Sequence, residues 1–459
     1  MRSAIVPPVD DLRACRSRRL HNHLEATAPL LQHSVAAATR ESKEDPHLDR
    51  AAQVFSLQAL DDRDATLRFH FRFRQARDGK LAEKILRRDC HLCRVERCGF
   101  AGNPPMFRRL QDRFPNAEIH MMLFARNRQL LDLLGVVKKE NVKTIRDDSL
   151  AHLLYDLAKA IWWMRTNKFD AVLDCELFSR ISAILSGISG ARRRAGFHRH
   201  TQEGLYRGSF INSPVAYNPY RHLSHQLVTL ADSLQSHTVP RGKDGSLAEK
   251  FSPPSFHPAP GEIESEIAKL HHDHPAFAGK KLVLLYPSGG LLSIRAWPLQ
   301  HYVEVAEQLL QDGCAVGVIG MPEDRPLAEQ LRFACSDNAN CVNLAGYTRS
   351  VRHLMCLFHR ASLLITNDGG PGQFAAMTSM PSIVFFGPET PTLYASWSPN
   401  SHAFYLHLPC SPCLTAYNHR NSPCDGDNQC LKRILPAEVL AKAREMIAVS
   451  HPSGVHANA

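Results

Sequence analysis

No stretch of the chain approaches 18 consecutive apolar residues, so no helix able to cross a bilayer is expected. Met1 to Arg19 carries charges where a secretory signal needs an apolar run, and the protein is read as cytosolic. Acidic residues are in the minority, 45 against 55 Lys and Arg. The resulting net charge of +10 admits nucleic acid, an anionic membrane or a phosphorylated ligand as a partner. No recognisable nucleic-acid-binding module is present, which counts against the first. Internal repeats are missing as well. Cysteine is not scarce: there are 13, scattered, and a reducing compartment favours free thiols or metal ligands over disulfides.

Apolar residues make up 44% and charged residues 22%, so a buried core is feasible, and 459 residues exceed one ordinary core. Two domains are expected. Residues 1–80, rich in Arg, His, Asp and Ala, show no sustained period of 2 or 3.6 and read as a disordered extension or an incorrectly assigned start, with a nucleic-acid-binding arm as the alternative. Residues 81–235 read as an α/β domain: Pro105–Phe114 has a helical pattern, Glu118–Phe124 a strand pattern, Leu150–Arg165 a second helix and Phe169–Asp174 a short buried strand. Pro, Ser, Gly and His dominate the linker, 236–262. Across 263–450 strands and helices alternate: Leu282–Tyr286, then a helix over Leu299–Gln311, Ala315–Ile319, helices over Pro326–Ala334 and Val351–His359, Leu363–Thr366, a helix over Gln373–Thr378, and Ser382–Phe386. That spacing predicts a parallel, doubly wound sheet.

Ligands of such sheets bind outside the carboxyl ends of the strands. The loops there are chemically unusual. Ser288, Gly289 and Gly290 form a turn whose N–H groups can approach an anion, and Arg295, before Trp297, offers a planar fork for phosphate. The bland reading of the same residues is a plain turn with Trp297 as a core anchor. Glu323, past the next strand, suits a ribose hydroxyl pair or simply the start of a helix. Asn367, Asp368, Gly369, Gly370, Pro371 and Gln373 run from a buried strand through a tight turn into a helix of small residues, an arrangement suited to a diphosphate. Asp368 reads as a ligand-contacting residue rather than a mere cap.

The order Ser-Gly-Gly290, Arg295-x-Trp-Pro298, Gly320-x-Pro-Glu323, Asn343-Leu-Ala-Gly346, Thr366-Asn-Asp-Gly-Gly-Pro371 and Phe386-Gly-Pro388 resembles glycosyltransferase family 9, the ADP-heptose:lipopolysaccharide heptosyltransferases. The resemblance covers residues 105–445 and is most specific across 282–436. It implies a GT-B fold of two Rossmann-like domains facing a cleft, a nucleotide-sugar donor, a lipopolysaccharide or other glycan acceptor, and no further cofactor. It also implies that Asp368, Gly370 and Arg295 hold the donor's diphosphate and sugar and that Glu323 contacts the ribose.

The chain departs from the family pattern at three places. Gln373 stands where the family has His and Gly369 where it has Ser or Thr, so the turn keeps hydrogen bonding but loses a titratable ring. The Gly-Asp loop that supplies the family's presumed general base is replaced by Glu96-Arg-Cys-Gly-Phe100, and the preceding strand signal at Lys84–Leu86 is broken by Arg87–Cys90. Three readings stay open: a base moved to Glu96 or Asp89, a sequence damaged upstream of about residue 101, or a non-catalytic nucleotide-sugar-binding or scaffold protein. Cys410, Cys413, Cys424 and Cys430 open with a C-x2-C spacing, which leaves a metal site or packed thiols open. Arg192–His200 is a basic run, either a solvated face or a contact for acceptor phosphates or the anionic inner membrane surface. His222 and His225 are expected to be structural, with acceptor hydrogen bonding as the alternative.

Overall fold

The computed structural model describes residues 90–93, 104–177, 179–198, 208–238, 241–242, 251–290, 292–336, 338–416 and 422–449. The expectations for 1–80, for Asp89 and Glu96 and for part of the linker lie outside them. Two six-stranded parallel sheets are present among the described residues, both within one compact unit spanning residues 78–459.

The first sheet is built from β1 (Cys90–Cys93), α1 (Pro104–Arg113), β2 (Glu118–Phe124), α2 (Arg128–Leu134), β3 (Val142–Ile145), α3 (Leu150–Asn167), β4 (Ala171–Asp174), α4 (Arg180–Ile188), β5 (Arg193–His198), β6 (Ser213–Ala216) and α5 (Leu223–Asp232). Its strand order is β3-β2-β1-β4-β5-β6. The strand signal at Lys84–Leu86 lies outside the described residues, and the first described strand is Cys90–Cys93. Pairing with β2 on one side and β4 on the other stabilises backbone whose side-chain sequence is indifferent to strand formation. Arg109 of α1 reaches Asp232 of α5 with both carboxylate oxygens in range, at 2.8 and 2.6 Å, clamping the helices on that side.

The second sheet follows with α6 (Glu262–Asp273), β7 (Leu282–Tyr286), α7 (Leu299–Gln311), β8 (Ala315–Gly320), α8 (Arg325–Ala334), β9 (Cys341–Ala345), α9 (Val351–Arg360), β10 (Leu363–Asn367), α10 (Gly370–Ala375), β11 (Ser382–Phe386), α11 (Pro391–Tyr394), β12 (Ser401–Tyr405), α12 (Gln429–Lys432) and α13 (Pro436–Val449). The strand order is β12-β11-β10-β7-β8-β9. The four central strands, β7, β8, β10 and β11, are apolar runs buried on both faces, as parallel sheets require. The helix expected at Gln373–Thr378 begins three residues earlier, because Pro371 sits in its first turn, where a missing N–H costs nothing.

One hydrophobic cluster runs without a break from α1 and the inner face of the first sheet, through Leu227 and Leu230 of α5 and Phe256 of the connecting segment, to Leu284 and Phe386 of the second sheet. Phe256 N–H donates to Met377 O at 2.8 Å, so the connecting segment lies on the second sheet's own helices. The junction is completed by His222, which caps α5 through Nδ1 and donates from Nε2 to Ala395 O at 2.8 Å. Trp397 packs edge-on against that imidazole and donates to Ser224 Oγ at 3.1 Å. His222 is therefore structural here.

Burial pulls the His222 imidazole down from 6.5 to about 4, and the neutral ring is the form that bridges. The unfolded chain takes up this proton as pH falls through 6.5, whereas the folded protein resists until about 4. The linked stability is present above 6.5 and lost between 6.5 and 4, by on the order of 3 kcal/mol at the lower end. His222→Gln, which does not titrate there, should flatten the fall of melting temperature over that window; calorimetry giving the same slope as the parent would refute the assignment.

Candidate functional site

The register of the second sheet ends its central strands at one level: Thr366 of β10 lies beside Tyr286 of β7, and Asn367 beside Phe385 of β11. Their following loops share one rim. There Arg295 and Asp368, 73 residues apart in sequence, meet. Arg295 Nη1 lies 3.4 Å from Asp368 Oδ2 and 3.5 Å from its carbonyl oxygen, and the side chains are 11% and 10% exposed. The pair is long for a charge-assisted bond. Arg295 Nε–H is buried and makes no hydrogen bond. An unspent buried donor costs about 1–3 kcal/mol.

Asn367, the residue before Asp368, is 1% exposed and turned inward. Its Nδ2 donates to Pro287 O at 3.0 Å and Ser288 O at 3.1 Å; its Oδ1 accepts from Trp297 N–H at 2.8 Å and lies 3.1 Å from Tyr302 Oη. The amide's two donors and two lone pairs are thereby filled by the protein. Asn367, expected to touch the ligand, is instead the tie that sets the β7 loop, the Arg295 turn and the β10 loop against each other.

Two further anchors hold the Arg295 turn. Trp297 is 1% exposed, stacks on Phe385 at 4.3 Å and donates from Nε1 to Ile434 O at 3.0 Å. Asn428, before α12, donates to Ile294 O at 2.6 Å. The core-anchor reading of Trp297 holds, and it is this anchoring that aims Arg295. Gly289 is required by space: a Cβ there would come within 2.7 Å of Leu292 O and 2.9 Å of Ser293 Cα. Gly290 is exposed with φ +61°, and its N–H donates to Ser288 Oγ at 3.1 Å. The Tyr286 hydroxyl, hydrogen-bonded to Ser288, is pushed up by burial.

In the β10 loop, Gly369 is extended, Gly370 opens α10 and Pro371 follows in its first turn. A helix of six residues contributes little beyond the N–H groups of that turn, so the dipole expected from the sequence is small. Gln373 is half-buried and donates to Tyr394 O at 2.7 Å, fastening α10 to α11. Glu323 is exposed in a short turn after β8, where its neighbour Asp324 caps Met321 N–H at 2.8 Å. It stands on the same rim, β8 being next to β7, without joining the Arg295 cluster by a direct bond. Tyr302, Asn428 and Tyr394 were not anticipated, since none lies in a loop with a ligand-like composition.

Cys410 and Cys424 are exposed, Cys413 half-buried and Cys430 buried under Gly387. Among the described residues no three His, Cys, Asp or Glu side chains gather to hold a metal ion. Burial, with the other three sulfurs adding to it, pushes the Cys430 thiol up to about 11. In the basic run, Arg194 is turned into the fold, donating to Phe210 O and Ala191 O at 2.6 Å each, while Arg192 stays exposed; residues 199 and 200 lie outside the described residues.

Two doubly wound parallel sheets, the second carrying the Arg295 and Asp368 loops at its strand ends, define a fold of the GT-B class. The family model of glycosyltransferase family 9 (heptosyltransferase) matches residues 157–422, and the chain belongs to that family. It is 27% identical to lipooligosaccharide heptosyltransferase 2 of Haemophilus influenzae over 198 residues, 42% of this chain and 55% of that protein. The lipooligosaccharide heptosyltransferase 2 of Haemophilus ducreyi is 24% identical over 293 residues, 62% of this chain and 79% of that protein. The chain thus spans about half the length of the first of these relatives and more of the second. The solved ADP-heptose heptosyltransferase II of E. coli superposes with a TM-score of 0.61 at 20% identity, covering 78% of this chain and 98% of that one. A family 9 glycosyl transferase from Veillonella parvula gives 0.60 at 14% identity, covering 79% and 98%.

Asn367→Leu keeps the side chain's branching, with bulkier methyl groups, and removes every polar contact of the tie, orphaning two carbonyls and an N–H. It should cost at least about 3 kcal/mol in urea unfolding. A loss under about 1 kcal/mol would mean that the loops are held by other means.

Proposed function

We propose that this protein transfers a heptose or related sugar from a nucleotide-sugar donor, ADP-heptose in the first instance, to a lipopolysaccharide-core or other cell-surface glycan, with inversion at the anomeric carbon. In this reading residues 263–450 bind the donor and residues 81–235 the acceptor. The observation that carries it is the Arg295–Asp368 pair, closely set by buried ties on a strand-end rim, in a member of family 9. Relatives named as heptosyltransferases support the sugar and the acceptor class.

Departure of the nucleoside diphosphate builds negative charge, and fixed donors aimed at that charge lower the barrier. Arg295 supplies a guanidinium whose Nε–H is uncommitted. The N–H groups of Gly289, Gly369 and Gly370 supply dipoles in loops that do not have to reorganise. Asp368 orients the guanidinium and accepts from the donor sugar's hydroxyls. Glu323, exposed on the same rim, accepts from the ribose hydroxyls. The acceptor is brought to the opposite domain, at the inner face of the cytoplasmic membrane.

The test incubates the full chain with ADP-heptose and a de-acylated core acceptor and measures ADP release and product mass. Transfer is expected, with kcat/KM lowered about 10²- to 10³-fold in Arg295→Ala and in Asp368→Ala. Donor binding without turnover would leave a nucleotide-sugar-binding scaffold of the same fold; no donor binding at all would end the reading.

A further inference from the structure

A surface helix normally keeps polar side chains on its outward side. Helix α3 does not. Its inward face is Asp156, Ala160 and Met164, packed with Val172 of β4 and Leu185 of α4. Its outward face carries Leu150, Leu154 and Trp162 at four- and eight-residue spacing, 70%, 59% and 69% exposed, with Tyr155 beside them at 57%. Over the 12 steps from Leu150 to Trp162 the stripe is roughly 18 Å long. Helix α4 lies on the same face of the first sheet and adds Ile181 and Ile184, 59% and 43% exposed. The helices are neighbours: a Cβ on Gly190, just after α4, would come within 2.7 Å of the Arg165 guanidinium of α3.

The charge around this apolar stripe is predominantly positive, the exposed acids Asp147 and Asp148 at its N-terminal end being paired with Arg126 and His152. Lys159, Arg165, Lys168, Arg180 and Arg192 are exposed on or beside the two helices. The single acid of α3, Asp156, is turned inward and engaged by Arg146 through 2.8 and 3.0 Å bonds, and α4 has none. Asp148, just before α3, is held by His152 at 2.9 Å. A protein partner of ordinary composition would be met by mixed charge, whereas Trp and Tyr among aliphatics with a basic fringe match the interface of an anionic bilayer.

We infer that the α3–α4 face docks the protein on an anionic lipid surface, with Leu154 and Trp162 entering the headgroup layer and the flanking cations meeting lipid phosphates. The assignment rests on the proposed transfer only for its purpose, since a lipid-linked acceptor lies in a bilayer; the surface itself owes nothing to the donor rim.

The experiment uses the full chain and vesicles without donor or acceptor, so failure of docking and failure of transfer are separate results. Flotation with phosphatidylcholine vesicles containing about 30% phosphatidylglycerol should carry the protein up with a blue-shifted Trp emission, and pure phosphatidylcholine should not. Leu154→Ser with Trp162→Ser should weaken flotation at least about tenfold, and Lys159→Glu with Arg165→Glu should erase the preference for the anionic lipid. ADP binding by both double variants should match the parent, showing that they fold. The inference is overturned if the parent does not float, if the Leu154/Trp162 variant floats equally well, or if sedimentation shows a dimer that this variant dissociates.

Discussion

A single buried amide decides whether the strand-end rim exists as a site. Three loops leave the second sheet at one level, and backbone flexibility alone would let each move separately. Asn367 binds carbonyls of the first, an N–H of the second, and is covalently part of the third. Arg295 reaches Asp368 because the turn on either side of it is fixed, by Asn428 before and Trp297 behind. Electrostatic stabilisation of a leaving group depends on donors that are already in place, and here the placement is done by groups that never face the ligand.

Those groups mark the boundary of what the sequence discloses. The strands Leu282–Tyr286 and Ser382–Phe386 coincide with the pattern expected, since a central parallel strand is a short apolar run with few alternatives. The edge strand Ser401–Tyr405 was missed: it is only half-buried, and its composition lacks such a run. The strand at Cys90–Cys93 was not expected, because partners on both sides, not its own residues, select it. Within the site, the proximity of Arg295 and Asp368 was foreseen from the doubly wound rule. The inward turn of Asn367 was not, for the same side chain at a strand end can face a ligand or the core, and only the loop packed against it decides.

The junction between the sheets shows the same dependence on context. The sequence marks His222 as structural without naming its partner, and nothing in it singles out Trp397. In the fold each completes a hydrogen bond across the join, His222 to Ala395 and Trp397 to Ser224, while the shared apolar cluster continues beneath them. A neutral imidazole suits that place because it offers one donor and one acceptor in opposite directions without a buried charge.

The anchoring of Trp297 by the carbonyl of Ile434 has a temporal meaning. During synthesis every strand of both sheets leaves the ribosome before residue 434 does, so the strands are all out while the Arg295 turn still lacks its back wall. The same C-terminal residues close the core of the second sheet, Leu431, Ile434 and Val439 packing with Leu285 and Phe385, so the Arg295 turn and that core are completed together.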